Sequence, residues 1–160
     1  MKIRNTKLNE LKGILEIYES ARQYMQRNGN PNQWGSSYPD EKIIKADIEN
    51  RHHFVCIDGN RIMGCFAFIK GDDPTYKKIV EGKWVNNDPY AVIHRIAVFE
   101  HGKGIGSFCI AWCFNQHKNI RADTHKDNIS MQKLLIKKEF KYCGVIHNSW
   151  GDERLAFQRV

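Results

Sequence analysis

The sequence predicts a mixed α+β domain in which a central, mostly antiparallel sheet carries helices on both faces. Three observations support this. Apolar residues recur at helical spacing in four segments. Short apolar runs bounded by turn residues lie between those segments. The two patterns follow one another as β-α-α-β-β-β-α-β-α-β-β, an order that layers helices against a single sheet. A chain of 160 residues suits one domain over residues 1–160 and can bury a substantial core.

Met1 to Asn5 reads as a first strand, and Thr6 is placed to cap the helix that follows. Leu11, Ile14, Leu15, Tyr18, Ala21 and Met25 give that helix one apolar face, and Asn28-Gly29-Asn30-Pro31 should end it. Asn32 to Pro39 forms a loop with two aromatics, Trp34 and Tyr38. A second helix runs from about Asp40 to Asn50 with Ile43, Ile44 and Ile48 inward. His53 to Ile57 and Ile62 to Ile69 are strands joined through Asp58-Gly59-Asn60-Arg61, a hairpin signal. Residues 71–89 are polar and broken by Pro74, Gly82 and Pro89.

Tyr90 to Val98 is apolar enough to be a central strand. A helix from Gly104 to about His117 buries Ile105, Phe108, Cys109, Trp112 and Cys113. Ile120 to Thr124 is a short strand. Asn128 to Lys138 is a basic helix with Met131, Leu134 and Leu135 inward. Phe140 to Ile146 and Leu155 to Val160 close the chain as strands.

Composition narrows the function classes. No stretch approaches the ~18 apolar residues a membrane span needs, and no apolar leader opens the chain, which gives the expectation of a cytoplasmic protein with no membrane partner. Five cysteines, at 56, 65, 109, 113 and 143, match no disulfide framework and read as reduced, buried thiols. Cys109, Cys113 and His117 share a helix face, but it is the core face, so packing is expected and no metal site. The net charge of +7, from 25 basic and 18 acidic residues, favours an anionic ligand. The basic residues are scattered and form no long run, so a polyphosphate cofactor is preferred over nucleic acid.

The segment richest in chemistry is Val98-Phe99-Glu100-His101-Gly102-Lys103-Gly104-Ile105-Gly106-Ser107. It joins the central strand to an amphipathic helix. Glycines there let the backbone approach a ligand closely. The free N–H groups and the dipole at the helix start favour a phosphate. Lys103 adds a cation and His101 a polar contact. A Rossmann site would need a parallel βαβ unit with an acidic residue about twenty positions further on; Asp123 sits near that spacing but ends a strand inside an otherwise antiparallel pattern, and the Gly-Lys-Ser/Thr that ends a Walker A loop is absent.

Ile96-Ala97-Val98 followed by His101-Gly102-Lys103-Gly104-Ile105-Gly106, with Asp123 to Asn128 and then Phe140 to Gly144, resembles the GNAT acetyltransferase superfamily over nearly the whole chain. The resemblance implies acetyl-CoA as cofactor and N-acetylation of an amine, with a small-molecule amine as the first expectation. A protein lysine or N-terminus is the alternative acceptor. A non-catalytic acyl-CoA sensor and a basic nucleic-acid binder are the competing classes. Family members often pair, which allows a homodimer, though no residue pattern here singles out a dimer face.

Carried over to this sequence, the resemblance assigns the backbone of Ile96, Ala97 and Val98 to the pantetheine arm. It assigns His101 to Ser107, namely His101, Gly102, Lys103, Gly104, Ile105, Gly106 and Ser107, to the pyrophosphate. It has Asn128 bond the pantetheine or hold the splayed strand end, and places Ser130 and Lys133 at the cofactor's outer half. The backbone N–H of Val98 is the implied oxyanion donor. His101 replaces the usual Arg or Gln. Leu135 stands where many members carry a Tyr, and Glu139 where they carry a glycine, so the familiar Tyr acid is missing. Tyr142, Cys143 and Ser107 remain as candidate acids, and a thiol pKa of about 8.5 or above makes an acid helpful to the leaving thiolate but not essential.

Transfer to an amine also needs a base. His94 is the candidate: it lies on the central strand, and alternation along a regular strand puts it on the face of Ile96 and Val98. In the arylalkylamine branch of the superfamily a catalytic His stands at the corresponding position. Trp34 and Tyr38 are the candidate acceptor-pocket residues, and Trp84 sits in a similarly placed loop.

Overall fold

The computed structural model describes residues 1–160. Its strands are β1 (Lys2–Asn5), β2 (His53–Asp58), β3 (Arg61–Lys70), β4 (Ala91–Val98), β5 (Ile120–Thr124), β6 (Lys141–His147) and β7 (Glu153–Arg159). Its helices are α1 (Leu11–Arg27), α2 (Glu41–Glu49), α3 (Ile105–Gln116) and α4 (Ile129–Lys137). All strands join one sheet in the order β1-β2-β3-β4-β5-β7-β6. Only β4 and β5 run parallel, and the other neighbours are antiparallel. The expected element order and sheet character are both present. No helix is long and apolar enough to cross a membrane.

Local chemistry explains the helix ends. The carboxylate of Asp40 accepts from the Ile43 N–H at 2.9 Å and starts α2. Asn128 does the same for α4, accepting from Met131 N–H at 3.1 Å. Thr6 does not cap α1. It is buried, and its hydroxyl meets His53 Nδ1 at 2.7 Å. A short 3-10 turn, Leu8–Glu10, precedes α1 instead, and Glu10 accepts from Lys7 N–H at 2.8 Å.

The sheet separates two layers of core. On one face α3 and α4 cover Phe66, Ala91, Ile93, Ala122 and Phe157, with Cys109 and Cys113 packed among them. On the other, α1 and α2 cover Val55, Cys65 and Ala97. The loop between β3 and β4 covers the rest of that face, where Tyr76, Trp84 and Tyr90 pack on Val92 and Ala156.

Two irregularities place the functional site. First, β4 and β5 pair only at Ala91↔Ile120 and Val92↔Arg121, so β4 has no strand on that side from Ile93 onward. The sheet opens there. Second, the β3–β4 register slips between Cys65 and Ala67, and Arg95 has φ 53°. This bulge inserts a residue into β4 and reverses the alternation beyond it. Ile93, Ile96 and Val98 therefore share one face. His94 lies on the opposite face, beside Tyr76. The expectation that His94 shares a face with Ile96 and Val98 is thus corrected, because regular alternation ends at Arg95.

The bulge is tied down from below. The Tyr18 hydroxyl donates to the Arg95 carbonyl at 2.9 Å and also lies 3.0 Å from His53 Nε2. A hydroxyl has one proton to give, so His53 Nε2 donates to Tyr18 while Nδ1 accepts from Thr6. The imidazole is neutral in this arrangement. Burial, reinforced by the nearby Arg95 charge, pushes its pKa down to about 4.

Candidate active site

Two cavities flank the gap beside β4. The first, about 450 Å³, runs along Ile96, Ala97 and Val98 to the start of α3 and the start of α4. Gly102 and Gly104 adopt φ of 76° and 74°, a backbone that side chains with a Cβ resist. Gly104 ends this turn as the cap of α3. The first α3 bond runs from Phe108 N–H to Gly104 at 3.0 Å, so the amides of Ile105, Gly106 and Ser107 have no helical acceptor. These three residues line the cavity. Ser130, in the first turn of α4, lines it too, so two helix N-termini converge on one space.

The strand edge is equally well placed. Phe99 N–H donates to Met63 on β3 at 2.8 Å. Alternation of an antiparallel ladder then turns the N–H and C=O groups of Val98 and Ile96 to the other side, into the gap.

The expected cofactor residues divide. Ile96, Ala97, Val98, His101, Gly102, Gly104, Ile105, Gly106, Ser107, Asn128 and Ser130 line this cavity. Lys103, Lys133 and Lys137 are all exposed; of these only Lys137 is part of the cavity wall. His101 stacks on Tyr24 with ring centroids 3.5 Å apart, and burial lowers its pKa. It is a neutral flat wall here, not a cation.

The second cavity, about 490 Å³, lies on the His94 side of the sheet. It shares Met25, Ile96, Asn128 and Met131 with the first, so the two meet at the bulge. Trp34 and Tyr38 are in its wall. Their rings meet edge-on at 6.2 Å, and Trp150 meets Tyr38 at 5.6 Å. Trp84 is not in this wall. It is buried beneath, and its indole N–H donates to the Tyr76 carbonyl at 2.9 Å.

His94 lines this cavity, with Nε2 2.7 Å from Asp73 Oδ2. The other Asp73 oxygen accepts from the N–H and hydroxyl of Thr75 at 2.9 and 2.7 Å. Burial alone would raise the Asp73 carboxyl, but the bonds from His94 and Thr75 outweigh it and hold the pKa down at about 2. Tyr76 donates to Asp123 Oδ1 at 2.5 Å, and burial pushes the Tyr76 phenol up. Arg95 forms two bonds to Asp47, at 2.8 and 2.9 Å.

Of the candidate acids only Ser107 lines either cavity. Tyr142 is exposed on β6 against Phe157, and Cys143 is buried under the β3–β4 loop. Leu135 is fully buried in the core. Glu139 keeps the glycine-like φ of 64°. Sequence reasoning missed Tyr24, Asp73, Trp150 and Arg154. Asp73 precedes a proline, which signals a turn but not a partner for His94. The other three carry no local signal.

A cleft with two helix starts and a bare strand edge, opening onto a second pocket, has the shape of a site for transfer from a phosphate-bearing donor. Residues 14–140 match the acetyltransferase (GNAT) family. The chain belongs to that family. This acetyltransferase takes its acetyl group from acetyl-CoA, and the cleft's two helix N-termini suit the pyrophosphate of that donor.

It is 31% identical to a GNAT-family acetyltransferase from Streptococcus agalactiae, with a TM-score of 0.92 over 99% of this chain and 94% of that one. A structure of yncA from Salmonella typhimurium with its cofactor acetyl-CoA shares 16% identity and the fold, with a TM-score of 0.65 over 98% of this chain and 91% of that one. A ribosomal-protein-alanine N-acetyltransferase from Brucella melitensis shares 17% identity and the fold, with a TM-score of 0.70 over 100% and 99%. No curated protein matches the chain.

Proposed function

We propose that this acetyltransferase acetylates the primary amine of a small molecule, with His94 as the base. The observation that carries this reading is the meeting of the two cavities at Ile96. A donor held in the first presents its acyl end to an acceptor held in the second. The second cavity has a volume in the small-molecule range.

The residues then divide the work. The amides of Ile105, Gly106 and Ser107 hold the pyrophosphate, and Lys137 adds a cation nearby. The backbone groups of Ile96 and Val98 bind the pantetheine arm as a neighbouring strand would. The thioester supplies an activated acyl carbon. The Val98 N–H, directed into the gap, stabilises negative charge developing on the acyl oxygen. Asp73, ionised throughout the working pH range, accepts from His94 Nε2 and leaves Nδ1 to take the proton of the acceptor amine. Trp34, Tyr38 and Trp150 bound the acceptor. Residues 1–160 act as one domain, since a single sheet carries both cavities. Five unpaired, buried cysteines suit a reducing, cytoplasmic setting.

The test is thiol release from acetyl-CoA against a panel of small amines and lysine peptides. Faster release with small amines supports the reading. Release with peptides alone overturns the acceptor class.

A further inference from the structure

Resting on the amine-transfer reading, we propose that the acceptor is an amino acid-type zwitterion whose carboxylate is held by Arg154. Arg154 is 6% exposed and forms part of the wall of the acceptor cavity. It takes part in none of the protein's ion pairs. Its Nη1 donates to the Glu153 carbonyl and its Nη2 to the Gln33 carbonyl, each at 3.0 Å. A guanidinium carries five N–H donors, so most of its capacity is uncommitted. Carbonyl oxygens satisfy N–H groups without neutralising charge, and a buried cation without a counter-charge is costly. Arg95, in the same cavity, has the carboxylate of Asp47 for that purpose. Arg154 has none. Its field is felt nearby: His125 is held below its usual pKa by burial and then by the Arg154 charge.

The remaining charges of the cavity complete the pattern. Asp73 pairs with His94 and Arg95 with Asp47. That leaves Asp123 and Arg154. Asp123 accepts the Tyr76 hydroxyl but pairs with no cation. Asp123 lies opposite Ala156 on β7, and Arg154 precedes Ala156 by two residues. Alternation puts Arg154 and Asp123 on the same face, offset by about 6.6 Å along the strands. One unpaired negative and one unpaired positive group at that spacing complement an ammonium and a carboxylate in one small molecule. The ammonium arrives beside Asp123 and His94, loses its proton to His94, and stands near Ile96. The carboxylate forks onto Arg154.

Matched pairs of free amino acids and their C-terminal amides test this by thiol release. The expected wild-type result is a kcat/KM ratio of acid to amide of about tenfold or more, the size of one charged hydrogen-bonded contact. Arg154→Gln should bring that ratio to near one, and Arg154→Lys should keep part of it. CoA affinity by calorimetry and the thermal midpoint of each variant control for folding. Arg154 also holds the Gln33 carbonyl. A purely structural role would lower acid and amide together and leave the ratio intact, which overturns the proposal. Equal use of acids and amides by the wild type overturns it as well, while leaving amine transfer standing. Thiol release with other small amines but with no acid or amide overturns it too and leaves amine transfer standing, whereas CoA binding without release from any amine removes the amine-transfer reading and this inference with it.

Discussion

The cleft proposed for the cofactor and the pocket proposed for the acceptor meet at Ile96, yet they are made of different material. The cleft offers a donor mainly backbone groups: the free edge of β4, the turn at Gly102 and Gly104, and the first amides of α3 and α4, beside a wall that includes Met25, Met131 and Leu134. The pocket offers ionisable side chains: Asp73, His94, Arg95, Asp123 and Arg154. It draws on the α1–α2 loop, the β3–β4 loop, β4, β5 and the β6–β7 loop. A backbone site is specified by a short run of sequence that sets dihedral angles. A side-chain site is specified by whatever the fold brings together, and its members can change without altering the frame. The difference teaches why donor and acceptor identities are not equally easy to read.

Substitutions can break or sharpen this contrast. The largest effect is expected from His94→Ala, which should lower kcat/KM by about 10²–10³ while leaving CoA affinity within about twofold. Unchanged kcat/KM from about pH 6 to 9 would remove His94 from the chemistry.

Next comes the support beneath the joint between the two sites. His53 has its folded pKa lowered to about 4 from 6.5. The stability it contributes is fully present above pH 6.5 and lost as pH falls through about 4, because the unfolded chain takes up the proton first. The loss should be roughly 3 kcal/mol in urea unfolding at pH 4 against pH 7. The same slope persisting in His53→Leu would show that it arises elsewhere.

Gly104→Val should weaken CoA binding by on the order of thirtyfold through the left-handed turn it strains, an effect of about 2 kcal/mol. Unaltered calorimetry would mean the turn does not hold the donor. The smallest effect is expected from Asp73→Asn, about tenfold in kcat with little change in CoA affinity. With a folded pKa of about 2, Asp73 is ionised across the assay range, so the wild-type acid limb should not come from it. The stability it contributes is present above pH 3.8 and lost as pH falls through about 2.

Much of the frame was legible because its signals are local. Asp40 and Asn128 cap the helices they precede. Gly59 turns the β2–β3 hairpin with φ 58°. The face of His94 was not legible. The bulge that sets it uses Arg95 in a left-handed backbone, and an arginine gives no warning of that conformation. Thr6 misled for a related reason: a hydroxyl able to cap a helix is equally able to bond a histidine, here one 47 positions away. Lys103, the cation the sequence offers the cradle, stands outside the lining of the cavity, which includes Lys137; both side chains are exposed.

The sequence by itself determined the cradle, because glycines at 102 and 104 and the amphipathic run after them constrain dihedral angles within a few residues, and amides at a helix start follow from that. It determined the layered sheet as well, because hydrophobic period is a local property. Only the tertiary structure decided what stands opposite the cradle. Asp73 reaches His94 across 21 positions, and Arg154 reaches Gln33 across 121. Contacts at such separations depend on how the sheet splays and where β4 bulges.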